Sequence, residues 1–312
     1  MRRQKVSVVG AGNVGASCAL WLAKRGLCDI VLVDIPQVKS APVGKGLDLL
    51  QSGPIEGFNA RIRGTADGSY AGTENSDVVI ITGGLARKPG MSREDLVGAN
   101  QAVITDVFDK ALPLSPEAIY IIVTNPLDTM TYLAHKYSRL PRNRIIGQAG
   151  ILDSARMAAF VAQELNVSIE NVQTAVLGGH GDEMVPLVRY STVFGRPLNE
   201  WLPADKVNAI IERTRKGGGE IVNLLGTSAY YAPGAALAKM AAAVLLDSKL
   251  IAPCSALLQG EYGLRDLCFG VPVKLGANGI EEIIEFKLTD DEKAMADKSV
   301  KIIRETISAL KT

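Results

Sequence analysis

Short β-branched runs alternate with amphipathic stretches through the first half of the chain. Val6–Val9, Ile30–Val33, Val78–Ile81 and Ile119–Val123 are largely apolar and close to five residues long. Such runs suit strands buried on both faces of a parallel sheet. Between them, apolar residues recur at helical spacing over Val14–Arg25, Val43–Leu50, Arg93–Leu112 and Leu127–Ser138. This alternation predicts an α/β fold: a doubly wound parallel sheet with right-handed crossovers.

The pattern changes near residue 145. Ile151–Leu165 reads as a helix, and Val172–Leu177 and Val185–Val188 read as short strands. Ala204–Leu225 and Pro233–Leu246 read as helices, followed by strand-like runs at Ala252–Gln259 and Val271–Leu275. Asp290–Leu310 is an amphipathic helix with Thr289 and Asp290 as candidate caps. A mixed α+β domain over 146–312 is therefore expected to follow the sheet domain over 1–145.

Composition narrows the function classes. Apolar residues make up 47% of the 312, enough for a sizeable core. Lys plus Arg number 34 and Asp plus Glu 33, so a net charge of +1 gives no general attraction for nucleic acid or an anionic membrane. Cys18, Cys28, Cys254 and Cys268 form no CxxC pair, and His135 and His180 are the only histidines. A catalytic transition metal is not expected, and a reducing compartment fits best. No apolar run reaches the ~20 residues that span a bilayer. The basic start, Met1–Lys5, is like a signal n-region, but the run from Val6 to Gly15 reads better as a strand entering a glycine loop. A cytoplasmic protein is the expectation.

That loop is Gly10-Ala11-Gly12-Asn13-Val14-Gly15. A lone GxGxxG also occurs in ordinary turns. Here a strand precedes it, a helix comes after it, and an acid lies downstream. Gly10 permits a tight turn, Gly12 lets the main chain approach a pyrophosphate, and Gly15 allows close helix–strand packing. Asp34 stands 19 residues after Gly15, at the end of Ile30–Val33. A carboxylate there can accept from ribose hydroxyls and would repel a 2′-phosphate, favouring NAD over NADP. FAD proteins share the fingerprint, so the Rossmann-type loop leaves the chemistry open.

Three further stretches could carry chemistry. His180 lies in Gly178-Gly179-His180-Gly181-Asp182, an open backbone suited to a proton-transfer group, although an isolated histidine in such a loop is more often solvated or structural. Asp153 and Arg156 share a helix face, either as a capping acid and a surface arginine or as a pair working with His180. In the second case the carboxylate orients an imidazole and the guanidinium grips a substrate carboxylate. The stretch from Gly83 to Arg93 leaves a buried strand and carries Arg87, Lys88 and Arg93 among Gly and Pro, as an anion-binding lid or a solvated loop would. Val123-Thr124-Asn125 leaves another strand at the same edge, where Asn125 can offer its amide. His135 lies on an amphipathic helix with no motif around it.

Together these stretches resemble the lactate/malate dehydrogenase family over nearly the whole chain. The matching segments are GAGNVG at 10–15, VLVDI at 31–35, ARKPGMSREDLVGAN at 86–100, VTNPLD at 123–128, GQAGILDSAR at 147–156 and GGHGDEMVPL at 178–187. The chain looks most like the family's malate dehydrogenases of lactate-dehydrogenase-like type.

The resemblance implies NAD as cofactor, malate and oxaloacetate as substrates, and a homotetramer or homodimer. It implies His180 as proton acceptor, Asp153 as its carboxylate partner, and Arg156 as the group pairing with the carboxylate beside the reacting carbon. Arg93 would polarise the carbonyl, and Arg87 would occupy the substrate-discriminating position. Asn125 would contact substrate and cofactor, with Val123, Thr124 and Asn100 near the cofactor. The segment Leu225–Tyr230 is slightly shorter than this subgroup leads one to expect, which bears on the pocket wall near Ala229. The competing readings are a lactate or other 2-hydroxy-acid dehydrogenase, a nucleotide-binding regulatory protein and a structural protein on the same scaffold.

Overall fold

The computed structural model describes residues 2–85 and 92–311, with Arg93 described in its main chain only. The chain begins with β1 (Lys5–Val9), α1 (Asn13–Arg25), β2 (Asp29–Val33), α2 (Ala41–Glu56) and β3 (Ile62–Thr65). It returns through β4 (Val78–Ile81), α3 (Arg93–Ala111), β5 (Ile119–Ile122), α4 (Leu127–Ser138) and β6 (Ile145–Gly147). These strands lie parallel in the spatial order β3-β2-β1-β4-β5-β6. Strand order reverses between β1 and β4, where open α/β sheets bind ligands beyond the carboxyl ends of the strands.

The strand pattern arises from burial on both faces. Val6, Val8, Ile30, Leu32, Val78 and Ile80 enter one core, and Val9, Val31, Val33, Val79 and Ile81 enter the other. Neither face needs polar residues, so the alternation of a half-exposed strand is absent. Edge strand β3 escapes the apolar pattern, because Ile62-Arg63-Gly64-Thr65 holds one large apolar residue. Gly64 is required there: a Cβ would stand 1.9 Å from the Pro42 carbonyl oxygen.

The second half comprises α5 (Gly150–Leu165), β7 (Val172–Gln173), β8 (Val176–Leu177), β9 (Val185–Pro186), β10 (Thr192–Val193) and β11 (Arg196–Pro197). Then come α6 (Ala204–Leu225), α7 (Tyr231–Leu245), β12 (Leu250–Gln259), β13 (Arg265–Gly276), β14 (Gly279–Ile283) and α8 (Asp290–Ser308). The single strand read at Val172–Leu177 is two: β7 pairs with β10, and β8 with β9. β12 pairs antiparallel with β6 where Ser255 faces Gly147, so β12, β13 and β14 extend the main sheet to nine strands. Met157 and Val161 of α5 pack with Val207 and Ile210 of α6 in a third core.

Thr289 caps α8 with a reciprocal box: its side chain accepts from the Glu292 N–H, and Glu292 accepts from the Thr289 N–H. Ala296, Val300 and Ile303 then fall on one face and enter the large core. All four cysteines are free and fully buried. Burial pushes the Cys254 thiol up to about 12, and burial likewise raises the Cys28 thiol to about 12. Among the described residues, no helix is long and apolar enough to cross a membrane.

Candidate active site

The glycine loop sits at the carboxyl edge of β1, pressed against the exit of β4. Gly10 holds φ +101°, and a Cβ on it would stand 2.4 Å from the Gly83 nitrogen. A Cβ on Gly15 would stand 1.9 Å from the Gly10 carbonyl oxygen, so α1 starts directly on the loop. Gly12 is the N-cap of α1; among the described residues no side chain caps it and none lies within 4 Å of its Cβ position. Gly12 and Asn13 are exposed, while Ala11 is buried and Val14 half-buried. A helix N-terminus facing open space beside a close-packed glycine turn is an anion cradle.

Asp34 closes this cradle from β2. Its Oδ2 accepts from the Ala11 N–H at 2.6 Å, and its Oδ1 accepts from the Ile35 N–H at 2.9 Å. Lys45, on α2, donates to the Ala11 carbonyl at 2.6 Å. No motif marks Lys45, so sequence reasoning missed it. Thr82 Oγ1 donates to the Gly10 carbonyl at 2.7 Å, and Thr124 Oγ1 donates to the Gly83 carbonyl. The exits of β1, β4 and β5 are thereby fastened together. Glycine turn, uncapped helix end and ribose-side carboxylate together fit a dinucleotide.

Beyond β5, Val123 is half-buried, Thr124 is buried and Asn125 is exposed at the sheet edge. Asn100, on α3, is fully buried. Its amide is spent on main chain, donating to the Leu85 and Asn125 carbonyls and accepting from the Leu85 N–H. Any effect of Asn100 on a cofactor is therefore exerted through those segments. Arg87 and Lys88 lie outside the described residues, as does the Arg93 side chain. Ser92 caps α3 in a reciprocal box with Asp95.

The structure brings His180 to α5. His180 Nδ1 is 2.8 Å from Asp153 Oδ2, and Arg156 Nη1 donates to Asp153 Oδ1 at 3.0 Å. Asp153 is 1% exposed, so its charge is committed to these two neighbours. His180 and Arg156 keep side-chain exposures of 18% and 14%, a narrow opening toward solvent. Arg156 runs along α6, where a Cβ on Gly217 would stand 3.4 Å from its Cδ.

Burial alone would depress the His180 imidazole. The Asp153 carboxylate opposes it by charge and by hydrogen bond, the Asp128 charge adds to that opposition, and the net direction is upward. Because ionised Asp153 only accepts, Nδ1 carries a proton and Nε2 is the nitrogen free to exchange one.

Asp128 is a further carboxylate that sequence reasoning missed. In the first turn of α4 it reads as a helix-dipole acid, yet it is 5% exposed and accepts from the His180 N–H at 2.9 Å and from Ser255 Oγ at 2.6 Å. His135 is also buried in α4, and burial lowers it to about 4. No cluster of His, Cys, Asp or Glu among the described residues could hold a metal ion. The short segment before α7 is a turn in which Gly226, at φ +69°, ends α6.

A model of the lactate/malate dehydrogenase NAD binding domain matches residues 4–147, and one of the lactate/malate dehydrogenase α/β C-terminal domain matches residues 151–312. The chain belongs to the lactate/malate dehydrogenase family. It is 55% identical over 310 residues to a malate dehydrogenase of Roseiflexus castenholzii, covering 99% of each chain. The malate dehydrogenase structure from Salinibacter ruber shares 48% identity at a TM-score of 0.93, over 98% of this chain and 97% of that one. A lactate dehydrogenase from Cryptosporidium parvum, complexed with lactic acid and nicotinamide adenine dinucleotide, superposes at a TM-score of 0.94 with 37% identity, over 99% and 98%. The family has an NAD binding domain, and the cradle at Gly10–Gly15 with Asp34 lies inside the matched region. The doubly wound sheet followed by a mixed half, expected from the apolar pattern, is the family's architecture.

Proposed function

We propose that the protein is an NAD-dependent malate dehydrogenase, interconverting malate and oxaloacetate. The observation that carries this reading is the divided Asp153 carboxylate, one oxygen on His180 and the other on Arg156. It assembles a proton acceptor and a carboxylate-binding cation in a dehydrogenase fold whose relatives named above include malate dehydrogenases.

When bound, NAD supplies the hydride acceptor; Gly10, Ala11, Gly12, Asn13, Val14 and Gly15 would hold its pyrophosphate and Asp34 its ribose, with Val123, Thr124 and Asn125 beside it. His180 Nε2 takes the proton of the substrate C2 hydroxyl as the C2–H electron pair leaves for the acceptor and the carbonyl forms. Asp153 stabilises the resulting imidazolium. Arg156 pairs with the carboxylate next to C2. Arg93 takes the developing charge on oxygen, and Arg87 the distal carboxylate that lactate lacks.

The division near residue 145, a cytoplasmic location and a homodimer or homotetramer belong to the same reading. Unpaired thiols agree with a reducing compartment. Val43, Leu47 and Leu50 form an exposed apolar stripe along α2, a face suited to a second copy.

Loss of NADH absorbance with oxaloacetate and with pyruvate tests the assignment in wild type and Arg87→Gln. A buried, unpaired carboxylate is costly, so Arg87→Gln should lower kcat/KM for oxaloacetate by about 30-fold or more. Pyruvate turnover should improve relative to it. An unchanged ratio rejects the role given to Arg87, and a wild type that prefers pyruvate rejects the malate reading.

A further inference from the structure

Three successive main-chain N–H groups of the catalytic loop are each held by a different element. The Gly178 N–H donates to the Gly270 carbonyl on β13 at 2.9 Å, the Gly179 N–H to Ser299 Oγ on α8 at 2.8 Å, and the His180 N–H to Asp128 Oδ2 on α4 at 2.9 Å. Ser299 is 1% exposed and Asp128 5%, so both acceptors are shielded from water. The approach is close: a Cβ on Gly179 would stand 3.0 Å from Ser299 Oγ and 3.1 Å from Ile303 Cδ1, and a Cβ on Gly270 2.3 Å from the Gly178 carbonyl oxygen.

We propose that Asp128 and Ser299 are positioning residues that fix the His180 imidazole against Asp153 by clamping the main chain on which it rides. The proposal rests on His180 being the proton-transfer group. An imidazole swings with its own Cα, so a rotation of the loop would break the 2.8 Å contact with Asp153. Two side chains, 120 residues from Gly179 and 52 from His180, therefore set the register of one histidine. Through Ser299 they also tie α8 to the reaction.

Asp128 has a second lever. Among the described residues, the groups facing His180 are Asp153 and Arg156 from α5 and Asp128 from α4. Those facing Asp128 are Ser255 from β12, Cys268 from β13, His180 and Asp153. Burial raises the Asp128 carboxyl, while the Ser255 hydroxyl and the His180 N–H draw it down. Its charge adds to that of Asp153 in favouring imidazolium.

Asp128→Ala, Asp128→Asn, Ser299→Ala and His180→Asn separate these effects, with NADH binding and circular dichroism as readouts of fold. We expect Ser299→Ala and Asp128→Ala to lower kcat by roughly 10- to 100-fold, with NADH affinity and KM little changed. Asp128→Asn keeps an acceptor for the His180 N–H, so it should recover most of kcat while moving the pH midpoint down. Wild-type kcat in folded Ser299→Ala or Asp128→Ala overturns the proposal. If Asp128→Ala does not fold, Ser299→Ala decides it. An active His180→Asn would instead overturn the assignment of His180 itself, whatever the other variants do.

Discussion

Asn100 grips Leu85 from both sides, its Oδ1 accepting the Leu85 N–H at 2.7 Å and its Nδ2 donating to the Leu85 carbonyl at 3.1 Å. The same Nδ2 reaches the Asn125 carbonyl at 2.6 Å. One buried amide thus joins the exits of β4 and β5. Asn100→Ala leaves these main-chain groups without their partner, at about 1–3 kcal/mol for each that stays buried. Urea denaturation should show that loss, together with a lower kcat/KM because Asn125 is no longer braced. Wild-type stability and activity would mean water replaces the amide without cost.

The upward direction of His180 fixes the sign of the pH dependence. Oxaloacetate reduction needs the imidazolium, so its kcat/KM should hold through ~6.5, the ordinary histidine value, and fall as pH rises through the higher folded midpoint. Malate oxidation needs neutral Nε2 and should rise through the same midpoint. Asp153→Asn removes the largest charge that opposes burial, so both midpoints should move down and both rates drop. Paired pH profiles of the two directions check this, and a midpoint that stays put in Asp153→Asn refutes the coupling.

His135 has the opposite sign. Burial lowers it to about 4. Its contribution to stability is present above ~6.5 and lost as pH falls toward the folded value, because the unfolded chain takes up the proton first. The full difference is about 3 kcal/mol at ~1.4 kcal/mol per pH unit. His135→Met, similar in reach and unable to protonate, should flatten the acid limb of a stability-against-pH curve from chemical denaturation. An unaltered acid limb would place the sensitivity elsewhere.

Asp34 is fastened to the Ala11 N–H and has its charge beside the cradle. Asp34→Asn keeps an acceptor for that N–H and removes the charge. The ratio of kcat/KM for NAD to that for NADP should therefore fall while the loop stays intact. Equal ratios in wild type and variant would show that shape, and not charge, excludes the extra phosphate.

The parallel sheet was readable because β1, β2, β4 and β5 are buried on both faces and so write continuous apolar runs. β3 was not, since an edge strand under α2 needs Gly64 where a larger residue would strike Pro42. β13 spans Arg265–Gly276, but only Val271–Leu275 reads as strand; the polar Arg265-Asp266 pair and Gly270 interrupt the pattern. At the site, the glycine fingerprint carries its own spacing rules, whereas His180 and Asp153 become a pair only through tertiary folding. Asp128 was illegible for a different reason. An acid in a first helical turn is ordinary, and nothing local shows that the helix end points inward at another loop.

The four buried thiols lie in two places, Cys18 and Cys28 around α1 and Cys254 and Cys268 on neighbouring strands of the other half. A bulky thiol reagent can reach them only when the surrounding structure opens. Each pair is therefore a built-in clock for its own region. Peptide-resolved labelling rates read those clocks separately. Since β12 is stitched to β6 within one sheet, the ratio of the two rates tells how far an opening that starts in one half travels into the other.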